Sequence, residues 1–236
     1  VTVHSEGNHK MLLEPNPTIS SKLRILHNWV DIDHHAASET SVDYRKQWGI
    51  TQKYVAVFAG VMGPSQYLEL ILRVAERMQE QTDLLFLLVG DGKEKERLQQ
   101  IAKDKNLNNV RFEGFISRDT YPDLLNACNI GLVCLSPQNQ TPVVPGKILG
   151  HMAAGLPVVA FLHTASDGHR LIIDAQCGVS ANSGELDQCV AVMQHLMKAS
   201  ADFNSFGEKG RRYAFKNFSK EVCVSQLIEM LEAPCP

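Results

Sequence analysis

No stretch of this chain is apolar for long enough to cross a bilayer, which takes about 20 residues. Apolar runs such as 84–89 and 156–162 are far too short. A secretory leader pattern is also missing, because Val1 falls inside what reads as a strand and residues 4–10 are polar, so a cytoplasmic location is expected. The six cysteines, at 128, 134, 177, 189, 223 and 235, include no CxxC and no metal-finger spacing. That removes zinc ribbons and thioredoxin-like redox chemistry and leaves reduced core thiols. Nine histidines include the neighbours His34 and His35 and the flanking His163 and His169, but no HExxH spacing, so no metal site is expected. Charge of one sign is not in excess: 23 Lys and Arg against 26 Asp and Glu give a net charge of -3, which excludes nucleic acid and gives no attraction to an anionic membrane. There is no internal repeat, low-complexity tract or charge block.

What is present is ordinary globular material. With 236 residues, 44% hydrophobic and 21% charged, the chain is long enough to bury a substantial core. Beyond residue 50, strand-like segments at 54–58, 84–89, 110–113, 130–135 and 158–161 alternate with helix-like ones at 67–79, 93–105, 121–127 and within 146–155. The segments 84–89 and 158–161 are unbroken apolar runs, which marks burial on both faces. Strands alternating with helices predict an α/β fold: a Rossmann-like parallel sheet of five strands with helices on both faces. Segments 187–199, 203–218 and 219–232 read as three successive helices. The last carries Val222, Val224, Leu227, Ile228 and Leu231, an apolar face that needs a cover. Residues 1–13 read as a strand, a turn and the start of a helix, and 22–27 as a further strand.

Glycines recur where the strands end: Gly60 to Gly63, Gly90 to Gly92, Gly114 and Gly146. In parallel sheets ligands bind outside those carboxyl ends. The densest segment is 145–160, PGKILGHMAAGLPVVA. Pro145 and Gly146 start a helix, so Lys147 stands in its first turn beside amide groups that have no intrahelical partner, a combination that attracts phosphate. Residues 152–155 carry little side-chain bulk and allow close approach to a sheet or a ligand, and Gly155 with Pro157 ends the helix. By itself this segment is equally a buried α/β crossover.

Several segments occur in a recognisable order. Residues 24–33 read RILHNWVDID, 58–63 FAGVMG with Gln66, 88–92 LVGDG, 110–116 VRFEGFI, and 152–159 MAAGLPVV after Lys147. The set resembles the C-terminal, donor-binding half of a GT-B glycosyltransferase of the group 1 or family 4 class, in the branch that builds bacterial surface polysaccharides. Residues 1–8, VTVHSEGN, are similar to the last strand and turn of that family's N-terminal domain. The resemblance implies three parts: 1–21 as a remnant of the acceptor domain and linker, 22–218 as the nucleotide-sugar-binding domain, and 219–236 as a helix that crosses back to an N-terminal domain largely missing here.

In that family a nucleotide-diphosphate sugar, here expected to be UDP-linked, lies across the strand ends, and the sugar is transferred with retention and without a metal or other cofactor. The resemblance implies that Gly60, Gly63, Gln66 and Lys147 face the diphosphate and that Phe115 and Ile116 hold the base. Gln66 stands where many members have lysine, which leaves Lys147 more of the electrostatic work. Gly150 stands where most members carry a ribose-binding Glu, and the Glu that pairs with it falls at Pro142, so donor affinity is expected to suffer. Asp167 and His169 are candidates for sugar contacts, although the stretch after the fifth strand reads more readily as a solvent loop. The full-length enzyme is expected to act on a cell-surface glycan or lipid-linked acceptor, with peripheral membrane association, and the fragment alone to be inactive. The alternatives are a non-catalytic nucleotide-sugar-binding or structural module that has lost the ribose carboxylates, or a sugar-nucleotide epimerase relative.

Overall fold

A computed structural model of the chain describes residues 1–35 and 42–232. Its N-terminal part is a small β–α–β unit: β1 (Thr2–Val3), α1 (Glu6–Leu13) and β2 (Arg24–Ile25), with β1 and β2 paired in parallel. A short α2 (Tyr44–Gln47) leads into the main sheet, where β3 (Tyr54–Ala59), α3 (Glu69–Arg77), β4 (Leu84–Val89), α4 (Lys95–Asp104) and β5 (Val110–Glu113) follow one another. The chain then returns through α5 (Tyr121–Asn126), β6 (Ile130–Cys134), α6 (Gly146–Ala153), β7 (Val158–Leu162), α7 (Gly168–Ala175) and β8 (Gly178–Asn182). Three helices complete it: α8 (Leu186–Lys198), α9 (Phe203–Phe218) and α10 (Lys220–Glu232).

All pairings in the main sheet are parallel, and the strand order is β5-β4-β3-β6-β7-β8. The direction of winding reverses between β3 and β6, and such a reversal opens a crevice at the carboxyl ends. Alternate residues of the strands face two helical layers, as their period of two requires. Ala56, Phe58, Phe86, Leu132 and Phe161 pack with residues of α3 and α8. On the opposite face Val57 and Leu87 meet α5, while Val133 and Ala160 meet α6 and α7. The described cysteines, 128, 134, 177, 189 and 223, are buried and unpaired; Cys235 lies outside the described residues.

The structure corrects two expectations. The sheet has six strands, because GVSAN at 178–182 adds an edge strand to β7. It was missed because its side chains are small and, apart from Ala181, only partly buried, with no apolar run to signal it. The stretch after β7 is also no solvent loop. His163, Ser166 and Gly168 are buried, and Gly168 opens α7. The small-residue end of α6 packs on the sheet, where Met152 and Ala153 join Val133, Val158 and Ala160, and it also admits α9, where a Cβ on Gly207 would stand 1.9 Å from the Gly155 carbonyl oxygen.

α10 buries only Cys223 and leaves Val224, Leu227, Ile228 and Leu231 exposed, so the apolar face read from sequence is uncovered. Among the described residues no helix is long and apolar enough to cross a membrane.

The crevice is shaped by contact between adjacent strand ends. Gly90 has φ +134°, and a Cβ there would stand 2.0 Å from the Gly60 carbonyl oxygen. Both features exclude a side chain. Gly90→Ala is therefore expected to destabilise the chain by about 2–4 kcal/mol, measured as a lower midpoint of urea unfolding. A change below about 0.5 kcal/mol, the range of a neutral surface substitution, would contradict this packing.

Candidate functional site

The crevice begins where β3 ends. Gly60 donates its backbone N–H to Val89 O at 2.9 Å and Met62 to Asp91 O at 2.7 Å, which ties the turn after β3 to the turn after β4. Beyond Gly63 the chain makes a single tight helical turn, Pro64–Gln66, and Tyr67 then adopts a left-handed conformation at φ 48°. That turn delays α3 to Glu69, two residues later than the apolar periodicity implied, and sets Gln66 on the crevice side of the sheet.

Lys147 enters from the other side of the reversal. It sits in the first turn of α6, whose N-cap is Pro145 and whose first amides receive no side-chain cap. Its Nζ donates to Gln66 Oε1 at 3.2 Å and lies 4.9 Å from the centre of the Phe58 ring. Its Cε fills the place where a Cβ on Gly60 would be, 2.9 Å away. The ammonium forms no ion pair among the described residues, and burial pushes its pKa below the ordinary 10.5. A desolvated cation beside uncapped helix amides is a site prepared for an anion. Gly60, Gln66 and Lys147 are thus neighbours in the structure.

Phe115 and Ile116 stand on the neighbouring side, after β5. With Ala59, Gly60, Val61, Val89, Gly90, Asp91, Tyr121 and Leu124 they line a cavity of about 240 Å³. Phe115 is 81% exposed at the mouth of this cavity. The same pair also borders a second cavity of about 480 Å³ with Trp29, Val30, Asp31, His34, Arg118 and Tyr121. Tyr121 lines both spaces and was not singled out from sequence, where it read only as the start of a helix. The signal available was its distance of five residues from Ile116, across a turn that leads straight into α5.

The remaining residues are placed differently. Gly63 borders a separate cavity of about 250 Å³ with Pro64, Tyr67, Ser136 and Gln138. Gly150 lies one helical turn beyond Lys147, and a Cβ there would meet nothing within 4 Å. Asp167 turns toward α1, where its Oδ2 accepts the Gly7 N–H at 2.7 Å. His169 is hydrogen-bonded through Nδ1 to Ser180 Oγ of β8 at 2.8 Å, and burial lowers its pKa. Neither side chain joins the group around Lys147. No cluster of three or more His, Cys, Asp or Glu positioned to hold a metal occurs among the described residues.

Residues 41–213 match the family profile described as glycosyl transferases group 1. A protein of Escherichia coli K12 named for glycosyl transfer in colanic acid biosynthesis, WcaI, is 30% identical over 131 residues, covering 54% of this chain and 32% of its own length. The UDP-glycosyltransferase TURAN of Arabidopsis thaliana is 28% identical over 148 residues, covering 58% of this chain and 31% of its own. These matches therefore span about a third of either relative's length. Among solved structures, Anabaena Alr3699/HepE in complex with UDP superposes with a TM-score of 0.85 at 19% identity, over 99% of this chain and 64% of that one. WaaG, a glycosyltransferase involved in lipopolysaccharide biosynthesis, gives 0.78 at 17% identity, over 99% and 62%. The fold is that of GT-B glycosyltransferases, and the chain belongs to the group 1 glycosyl transferases.

Proposed function

We propose that the chain is the donor-binding part of a glycosyltransferase, holding a UDP-linked sugar in the crevice between β3 and β6 for retaining, metal-independent transfer to a cell-surface glycan or lipid-linked acceptor. The observation that carries this reading is Lys147, a half-buried ammonium at an uncapped helix N-terminus with an amide and a ring for neighbours. In this reading the diphosphate lies between Lys147 and the turn at Gly60 to Gly63, and the base lies against Phe115, Ile116 and Tyr121. The growing charge on the leaving diphosphate is then stabilised by Lys147 and the α6 amides. The UDP bound to Alr3699/HepE supports the choice of nucleotide. The β1–α1–β2 unit is read as the edge of an acceptor domain. Retaining transfer needs an acceptor held across the cleft, so the chain by itself is expected to bind donor without turnover.

One observation favours the second reading, a binding module without activity. Gly150 and Pro142 stand where the family resemblance implies carboxylates for the donor, so the ribose would lose charge-assisted hydrogen bonds. The space beside Gly150 is open, which makes the loss reversible. Gly150→Glu is expected to tighten UDP binding by about tenfold, the effect of one hydrogen bond to a charged group. An unchanged affinity would separate Gly150 from the ribose.

The main test is calorimetric titration of the chain with UDP and a panel of other nucleotides. UDP is expected to bind, and Lys147→Ala to weaken it by about tenfold to a hundredfold. Failure of every nucleotide to bind would overturn the reading.

The titration also has a predictable pH dependence. The lysine must be protonated to hold phosphate, so affinity falls as pH rises through its pKa. Because burial has lowered that pKa, the fall begins below the 10.5 of an ordinary lysine. Affinity that stays flat to pH 10.5 in the wild type would remove Lys147 from the phosphate site.

A further inference from the structure

The SEGN turn at residues 5–8 is not used by the donor site, yet two of its four residues reach across to the loop that leads into α6 and a third to the residue that caps α7. The Ser5 hydroxyl and the Asn8 side-chain amide both donate to the Pro142 carbonyl, the former at 3.3 Å. Gly7 donates its backbone N–H to Asp167 Oδ2 at 2.7 Å. From the far side Ser166 Oγ donates to Val143 O at 2.7 Å, and it accepts the Gly168 N–H that opens α7. Ser5 is 2% exposed and Ser166 5%, while Gly7, Asn8, Pro142 and Asp167 are half-buried.

Gly7 fits this junction because it has no side chain. A Cβ there would stand 2.4 Å from Pro142 Cβ and 2.7 and 2.8 Å from the Asp167 oxygens. The carboxylate also faces the first turn of α1, where negative charge is favoured by the helix amides. Pro142 and Pro145 fix two φ angles within the four residues before α6, and each restricts the residue before it to extended conformations. The short path from the Pro142 carbonyl to Lys147 is therefore stiff.

We propose that Ser5, Gly7, Asn8 and Asp167 form a clasp through which the β1–α1–β2 unit holds the 142–145 loop, and with it Lys147, in the phosphate-binding position. Asp167 is then a positioning residue acting through the loop, not a sugar contact. The clasp itself stands on the bonds just described; its effect on binding rests on the nucleotide reading given above. Seating of the N-terminal unit and readiness of the phosphate turn become one event.

The test uses the full chain and two readouts, amide hydrogen exchange without nucleotide and calorimetric titration with UDP and UDP-glucose. Asp167→Ala and Gly7→Ala are each expected to speed exchange at amides 6–9 and at 146–148. Each is also expected to weaken UDP and UDP-glucose equally, by about threefold to tenfold, in the range of coupling carried by a packed network. Asp167→Asn, which keeps an oxygen for the Gly7 N–H, is expected to restore most of the affinity. Alanine is the better helix former at position 7, so loss in Gly7→Ala reports the collision and not a weakened α1. Faster exchange confined to 6–9 with unchanged UDP affinity would overturn the coupling. Weakening of UDP-glucose alone by Asp167→Ala would make Asp167 a sugar contact and overturn its positioning role. If the wild type binds no UDP, the nucleotide reading fails, and exchange at 146–148 decides the clasp: faster in the variants supports it, unchanged overturns it.

Discussion

The architecture of the crevice turns on one interaction, a half-buried lysine ammonium that meets no carboxylate among the described residues. Lys147 reaches across the reversal between β3 and β6 and finds the Gln66 amide oxygen and the face of Phe58. Both are weaker partners for a cation than a carboxylate. Burial of the charge lowers its pKa. An anion would supply what the protein withholds, and the uncapped start of α6 points its amide dipoles at the same place.

Much of the surrounding fold serves to bring that ammonium to the reversal point. The turn after β3 is fastened to the turn after β4 by two backbone hydrogen bonds. Gly90 allows the contact, because any side chain would strike the Gly60 carbonyl. The apolar cavity under Phe115 opens beside these turns. A charged end and an apolar end thus lie side by side along the strand tips, the pattern that a nucleotide diphosphate requires of its site.

The main sheet was readable from the chain because 54–58 and 84–89 are unbroken apolar runs, and only strands covered on both faces tolerate such composition. β8 escaped because an edge strand has one partner, and GVSAN has neither bulk nor alternation to betray it. α7 escaped because HTASDGH is dense in turn formers. Its start depends on a tertiary fact: Gly168 fits where a Cβ would meet Leu162 and Ile148 at 2.7 and 3.0 Å. Lys147 was legible from its place after Pro145 and Gly146, a local signal. The contact of Asp167 with Gly7 was not, since Gly7 lies 160 residues earlier, and no local pattern records that α1 packs there.

The central claim is that this crevice receives a diphosphate at Lys147 and a base at Phe115. A crystal structure of the chain grown with UDP tests it most directly. The account predicts phosphate oxygens within hydrogen-bond distance of Lys147 Nζ and the first amides of α6, with the uracil against Phe115, Ile116 and Tyr121. UDP found elsewhere, for instance in the cavity that Ser5 and His27 share with Arg170 and Tyr213, or bound with Lys147 still turned to Gln66 and untouched, would contradict it.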